Sequence, residues 1–184
     1  MRKIIIIAIV IILGAAVLIY AMRNKSEVKE VTTPTTTQNG NFKPDPSNAT
    51  FTIEDETITL ASGRNEREVA PGSAMTEETT LMDKFAYGDL NADGKVDTAL
   101  LLARYGGGSG TFVYAGAFVS GPVNYKGTQT VFIGDRIVPQ SISIGGGIVT
   151  VTYLDRKADE ALAAEPTVLE SKQFVYRNGE FQER

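Results

Sequence analysis

Short runs of apolar residues, alternating or continuous, set the pattern of the chain from residue 49 onward. Alternation at residues 50–53 and 57–60, separated by three acidic residues, predicts a β-hairpin. Nearly continuous apolar runs at residues 98–103 and 111–119 predict strands that are buried on both faces of a sheet. We therefore expect a mainly β, antiparallel, sheet-rich domain of about eight strands, either a sandwich or an open barrel.

The remaining pattern predicts further strands, their turns and at most one helix. A charged stretch at residues 62–76 with Pro71 and Gly72 is typical of a long loop. Residues 157–165 are rich in Ala and precede Pro166, which predicts one short helix. Glycines at 145–147 and the pair Asn178-Gly179 indicate turns. Further strands are predicted at residues 84–87, 129–133, 141–144, 148–154 and 168–177.

Residues 4–22 form an uncharged apolar run between Arg2-Lys3 and Arg23. As a helix, this run would be roughly 28 Å long at 1.5 Å per residue, which matches the hydrocarbon thickness of a bilayer. We predict that residues 1–22 are an uncleaved transmembrane signal anchor that contacts the lipid bilayer through residues 4–22. The alternative is a cleaved signal peptide, but the run is long for one and no good cleavage site follows it.

A Thr- and Pro-rich stretch at residues 23–48 has few large apolar side chains, which predicts a disordered tether. The first 48 residues hold six Lys or Arg and three acids, whereas residues 49–184 hold twelve and nineteen. We expect residues 49–184 to form one acidic domain, and that charge argues against nucleic acid as a partner. The chain has no Cys and no His, which excludes lipid attachment to Cys, Cys nucleophiles, Ser-His-Asp triads and zinc sites built from these residues.

The segment at residues 89–97 has the residue types and spacing of a calcium loop. Oxygen donors at positions 1, 3, 5 and 9 and a backbone carbonyl at position 7 suit a hard cation. Gly94 at position 6 allows the sharp turn that such a loop makes. The sequence therefore predicts a calcium site whose ligands are Asp89, Asn91, Asp93, the backbone carbonyl of Lys95, and Asp97.

Two departures separate this loop from an EF-hand. Position 12, where an EF-hand has a bidentate Glu, is Leu100, and the flanking runs have strand length. The loop resembles the short calcium loops of integrin-type β-propeller repeats, although the chain carries one copy and a propeller would repeat it. The alternative is a metal-free turn, because Asn, Asp and Gly favour turns for local reasons.

A wider resemblance rests on residues 88–118, on Gly134-Asp135-Arg136-Ile137-Val138-Pro139-Gln140 and on Tyr153-Leu154-Asp155-Arg156-Lys157. These segments resemble an uncharacterised exported bacterial domain that is found in membrane-anchored or lipid-anchored proteins. The resemblance implies a location in the cell envelope and a domain that begins near residue 49. It implies no catalytic residue.

These observations favour a membrane-anchored, extracytoplasmic module that binds calcium and is not an enzyme. The outward placement rests on the Thr-rich stalk and on a loop suited to millimolar calcium. Candidate partners are an envelope glycan, peptidoglycan or a protein. The alternative is a carboxylate-dependent hydrolase of cell-wall or sugar polymers, which needs a pair of carboxyls in a concave pocket. Arg136 and Arg156 have two interpretations, as structural ion pairs with Asp135 and Asp155 or as an anion or saccharide site.

Overall fold

The computed structural model describes residues 42–184, so the predicted anchor and most of the predicted tether lie outside the described residues. None of residues 42–184 belongs to a helix long and apolar enough to cross a membrane. The described part is built from strands and turns, without a helix. Its strands are β1 Thr50–Ile53, β2 Glu56–Thr59, β3 Arg64–Glu68, β4 Thr76–Gly88, β5 Asp97–Gly106, β6 Phe112–Ser120, β7 Tyr125–Gly127, β8 Val131–Asp135, β9 Val138–Gly145, β10 Ile148–Asp155, β11 Val168–Arg177 and β12 Glu180–Glu183.

The strands form two main antiparallel sheets and a separate hairpin. The larger sheet has the order β3-β4-β5-β6-β7, and β8 pairs with β6 on the same edge as β7. The smaller sheet has the order β12-β11-β10-β9. At Gly88 the two sheets approach closely, because a Cβ atom there would lie 2.9 Å from Cγ2 of Ile144 in β9. The antiparallel sheets confirm the expectation of a mainly β, antiparallel domain.

The central strands β5 and β6 are covered on both faces, as their continuous apolar runs predict. One set of their side chains packs against the smaller sheet, including Leu101 and Val113. The alternate set, including Leu100 and Leu102, packs under the β1–β2 hairpin around Phe51. Because successive side chains of a strand point to opposite faces, every residue in the middle of β5 is buried.

The predicted long loop at residues 62–76 is wrong, because this stretch contains strand β3 and the turn into β4. Strand β3 carries charged side chains on both faces, and it adopts a strand conformation because it pairs with β4. Ion pairs between the strands join Arg64 to Glu78 and Arg67 to Glu77. An edge strand of this composition is protected from pairing with other chains.

The short helix predicted at residues 157–165 is also wrong. This stretch forms two turns, in which the amides of Glu160 and Ala164 donate to the carbonyls of Lys157 and Ala161. A segment this short gains too little from helix propagation unless an apolar face packs against the domain. Besides β3, the strands that no predicted segment covers are β7 and β12, of which β12 follows the predicted Asn178-Gly179 turn.

Residues 42–48, which we assigned to the tether, contact the domain. The buried hydroxyl of Thr98 donates to the carbonyl of Pro44 at 2.7 Å. The rings of Phe42 and Tyr125 have centroids 6.1 Å apart, and Lys43 Nζ lies 4.9 Å from the centroid of the Tyr87 ring. The chain is therefore attached to the domain several residues before the predicted start at 49.

Candidate functional site

The predicted calcium loop joins the end of β4 at Gly88 to the start of β5 at Asp97. It therefore connects two adjacent antiparallel strands. Gly94 has a φ of 80°, a left-handed conformation that suits the sharp turn predicted at position 6, and Ala92 has a φ of 61°. These two positive φ values turn the chain back on itself within a few residues.

Side-chain oxygens of Asp89, Asn91 and Asp93 turn inward and accept hydrogen bonds from the loop's own backbone. The amide of Asp93 donates to Oδ1 of Asn91 at 3.1 Å and to Oδ1 of Asp89 at 3.3 Å. The amide of Gly94 donates to Oδ2 of Asp89 at 2.8 Å, and the amide of Lys95 donates to Oδ1 of Asp93 at 2.9 Å. The structure thus places the side-chain oxygens at positions 1, 3 and 5, the predicted metal ligands, around one tight turn.

Asp97 lies deeper, with none of its surface exposed. Its Oδ2 accepts from the amide of Leu90 and its Oδ1 from the amide of Ser120, each at 2.8 Å. Burial raises the pKa of Asp97 above its ordinary value, although the hydrogen bonds to its carboxylate act in the opposite direction. These two hydrogen bonds to a buried carboxylate fix the loop to the end of β6 without the help of a bound ion.

Ser120 contributes to the site and was not identified from the sequence. Its hydroxyl donates to Oδ2 of Asp93 at 2.6 Å, and its carbonyl accepts from Nδ2 of Asn91 at 2.9 Å. Burial alone would raise the pKa of Asp93, but the hydrogen bonds from Ser120 and the backbone outweigh it and lower that pKa. Ser120 lies 23 residues after Asp97, so no local spacing links it to the loop.

The Lys95 side chain supplies a positive charge to the loop. Its Nζ lies 3.6 Å from Oδ2 of Asp93 and 3.4 Å from the carbonyl oxygen of Gly121, to which it donates. Among residues 42–184, no group of three or more His, Cys, Asp or Glu side chains is arranged to hold a metal ion. The predicted ligand set includes three carboxylates, those of Asp89, Asp93 and Asp97, and the structure does not bring them together as such a group. Its other two ligands are an amide oxygen and a backbone carbonyl. These donors are the hard oxygens that calcium binds.

The two arginines of the Asp-Arg pairs bind protein oxygens. Arg156, whose side chain is 7% exposed, donates to the carbonyls of Arg136 and Asp135. Arg136 pairs with the carboxylate of Asp135 at 3.2 Å and donates to the carbonyl of Leu162. These contacts agree with the structural interpretation of the Asp-Arg pairs.

A groove with three glutamates lies at the other end of β5 and was not identified from the sequence. It has a volume of about 410 Å³, and we call it the Arg104 groove. Arg104 on β5 bonds both Glu56 of β2 and Glu77 of β4, and Arg67 of β3 bonds the same two carboxylates. The groove is lined by Glu54, Glu56, Arg67, Val69, Glu77, Arg104, Phe112 and Tyr114.

The charges of the Arg104 groove are strongly coupled. Hydrogen bonds from Arg67 and Arg104 lower the pKa of Glu56, and that of Glu77 is lowered chiefly by Arg104. Burial alone would lower the pKa of Arg104, but its hydrogen bonds to Glu77 and Glu56 have the larger effect and raise that pKa. Burial also raises the pKa of Tyr114 to about 12, together with the bond that its hydroxyl donates to Glu54 at 3.0 Å. All four Glu and Arg groups of the network are therefore held in their charged forms.

Comparison with known proteins gives no match to a protein-family model, a curated protein or a solved structure.

Proposed function

We propose that this protein is a membrane-anchored, extracytoplasmic bacterial module that binds calcium and serves a binding or structural role in the cell envelope without catalysis. The observation that carries the calcium proposal is the loop between β4 and β5, where oxygen donors at positions 1, 3 and 5 surround one turn. Gly94 adopts the left-handed conformation that this class of loop needs. The envelope location rests on the predicted anchor at residues 4–22 and on the tether.

Calcium would act by offsetting repulsion among Asp89, Asp93 and Asp97. Their side chains, the amide oxygen of Asn91 and the carbonyl of Lys95 are the ligands we assign. An ion there would favour the ionised form of buried Asp97 and stabilise the connection that sets the register of β4 and β5. We expect a dissociation constant on the order of 0.1 to 1 mM, which is typical of extracellular modules.

Thermal unfolding of the full-length protein in detergent, with calcium or with EDTA, tests the proposal. The key variant is Asp89→Asn, which removes one negative charge, keeps one oxygen to accept the 2.8 Å bond from the amide of Gly94, and gives up only the longer, exposed bond from the amide of Asp93. We expect the wild-type midpoint to rise with calcium and the variant to lose that rise while keeping a similar midpoint in EDTA. Asp83→Asn, an exposed change on β4, is the matched control and should keep the full calcium response.

An unchanged wild-type midpoint in 10 mM calcium would reduce the loop to a metal-free Asx-rich turn. The hydrogen bonds within the loop are those that such a turn also makes, so they do not separate the two interpretations. A calcium response that Asp89→Asn retains would place the ion elsewhere on the protein. Loss of the response in Asp89→Asn alone supports the loop as the site.

A carboxylate-dependent hydrolase is the second candidate function, favoured by the Glu56 and Glu77 pair. Their Oε2 atoms each lie 2.6 Å from Nη2 of Arg67, so they are separated by no more than twice that distance. Both Oε2 atoms also bond Nη2 of Arg104, which holds them slightly closer than the spacing of about 5 Å that retaining glycosidases use. However, such an enzyme needs a carboxyl with a raised pKa as its general acid, and both of these pKa values are lowered.

Release of reducing sugar from peptidoglycan and from neutral polysaccharides distinguishes the two functions. Under the non-enzymatic proposal, the wild type and Glu77→Gln release equal, background amounts. Turnover by the wild type that Glu77→Gln abolishes would favour the hydrolase.

A further inference from the structure

The Arg104 groove is separate from the calcium loop. Asp97 and Arg104 lie at opposite ends of β5, seven residues apart, which is about 23 Å at 3.3 Å per residue. Their side chains also point to opposite faces of the sheet, because their positions along the strand differ by an odd number. The face that carries Arg104 is the one covered by the β1–β2 hairpin, and Glu56 comes from that hairpin.

The positive and negative charges that line the Arg104 groove nearly cancel. Three glutamates and two arginines line it, and each arginine bonds both Glu56 and Glu77. An anionic ligand would meet the glutamates, and a cationic one would meet the arginines. The groove therefore suits a ligand with no net charge.

The same groups retain hydrogen-bonding capacity. Arg104, whose side chain is 8% exposed, makes both of its described bonds through Nη2, and its buried Nε has no partner among residues 42–184. Both glutamates accept only through Oε2 in the bonds that the structure describes, which leaves each Oε1 as an acceptor. A buried donor without a partner is costly, so the network would gain from a rearrangement that gives Nε an acceptor.

Aromatic side chains complete the wall. Phe112 is 37% exposed, and its ring lies 6.4 Å from that of Phe132, which in turn packs against Tyr114 at 5.5 Å. Vicinal hydroxyls both donate and accept, and the C–H face of a sugar ring packs on an aromatic ring. Neutral saccharides combine these two properties, and the groove offers a counterpart to each.

We propose that the Arg104 groove binds a neutral saccharide, with Phe112 contacting the sugar face and the Arg104 network bonding its hydroxyls. This names the ligand class of the envelope-binding role proposed above, and it does not depend on calcium binding by the loop. Because Nε of Arg104 is buried, a ligand hydroxyl reaches it only after the partly exposed Glu56 side chain shifts.

Titration of the full-length protein with chitotriose, cellotriose and maltotriose, followed by NMR shifts and calorimetry, tests this assignment. We expect saturable binding of at least one trisaccharide, in calcium and in EDTA alike. Phe112→Ala should weaken that binding at least tenfold. Tyr105→Ala is the matched control, because Tyr105 is an exposed aromatic on the neighbouring strand β5, and its side chain points to the face opposite that of Arg104.

The saccharide assignment would be overturned by no saturable binding of any of the three sugars up to 20 mM, or by binding that Phe112→Ala leaves unchanged. Tighter binding of galacturonate or lysine than of the neutral sugars would also overturn it, because the argument rests on cancelled charge. Glu54→Gln provides a second variant at an exposed position, and we expect it to weaken binding without unfolding the protein. Failure of calcium binding, read from the unfolding midpoint, would leave all these outcomes unaffected.

Discussion

The hydroxyl of Ser120 lies 2.6 Å from Oδ2 of Asp93, so the last residue of β6 is bonded to the middle of the loop between β4 and β5. The backbone of Ser120 takes part as well, since its amide donates to Asp97 and its carbonyl accepts from Asn91. One residue thus bonds the side chains at positions 3, 5 and 9 of the loop. It fixes the loop against the strand that neighbours β5.

Ser120→Ala removes the bond to Asp93 and leaves a carboxylate oxygen with one fewer donor. We expect a loss of about 1 to 2 kcal/mol in the free energy of unfolding in EDTA, the usual cost for a hydrogen bond to a charged group. Urea denaturation measures it. Ser171→Ala, at an exposed position of β11, should change the free energy by less than about 0.5 kcal/mol. Equal values for the two variants would show that the bond to Asp93 contributes nothing.

Asp97→Asn keeps the shape of the side chain but replaces one acceptor with a donor. Both Asp97 oxygens accept from backbone amides, so the new NH₂ group must face the amide of Leu90 or of Ser120. We expect destabilisation of about 1 to 3 kcal/mol in EDTA, because a buried amide loses its acceptor. Removal of a buried charge acts in the opposite direction, and a net stabilisation in urea denaturation would show that desolvation of Asp97 is the larger effect.

Gly94→Ala tests the turn geometry without a steric clash. A Cβ at Gly94 meets no atom within 4 Å, so the cost arises from the φ of 80° alone. We expect a loss of about 1 kcal/mol in the free energy of unfolding. Gly145→Ala is the matched control, because its Cβ is equally free of contacts and its φ is not positive. Calorimetry or urea denaturation of both variants measures the difference, and equal stabilities would contradict the strain argument.

Local pattern was sufficient where burial alone decides the structure. The apolar runs of β5 and β6 predicted two central strands covered on both faces, and their alternate side chains do pack into two separate clusters. The same holds for the Asn178-Gly179 turn, where φ values of 54° and 86° match a two-residue hairpin. In each case the residues that determine the conformation lie within the element itself.

Pattern failed where a distant partner decides the structure. Strand β3 is charged and was interpreted as a loop, because its partners Glu77 and Glu78 become its neighbours only after β4 folds back. Arg104 ends an apolar strand, and its partner Glu56 lies 48 residues earlier. Nothing in the local sequence of β5 indicates that this arginine is buried in a network. The Arg104 groove could therefore be identified only from the folded structure, whereas the loop at residues 89–97 could be identified from the sequence.

The network around Arg104 also predicts how stability depends on pH. The pKa values of Glu56 and Glu77 in the folded protein lie below the ordinary value of 4.5. The unfolded chain therefore binds more protons as the pH falls below that value, and stability is lost through that range. At neutral pH the contribution of the network is fully present. We expect the unfolding midpoint to be nearly constant from pH 7 to pH 5.5 and to fall steeply below pH 4.5.

Glu77→Gln separates this network from the other carboxylates of the domain. Glu77 is the less exposed of the two glutamates and bonds both arginines, so the variant should lower the midpoint at pH 7 and flatten its fall below pH 4.5. Glu165→Gln is the control, since that side chain is exposed and should leave the pH profile unchanged. Thermal unfolding in EDTA between pH 3 and pH 7 measures all three proteins. Parallel profiles for the wild type and Glu77→Gln would mean that the acid sensitivity originates outside the Arg104 network, because a group that no longer titrates cannot contribute to the slope.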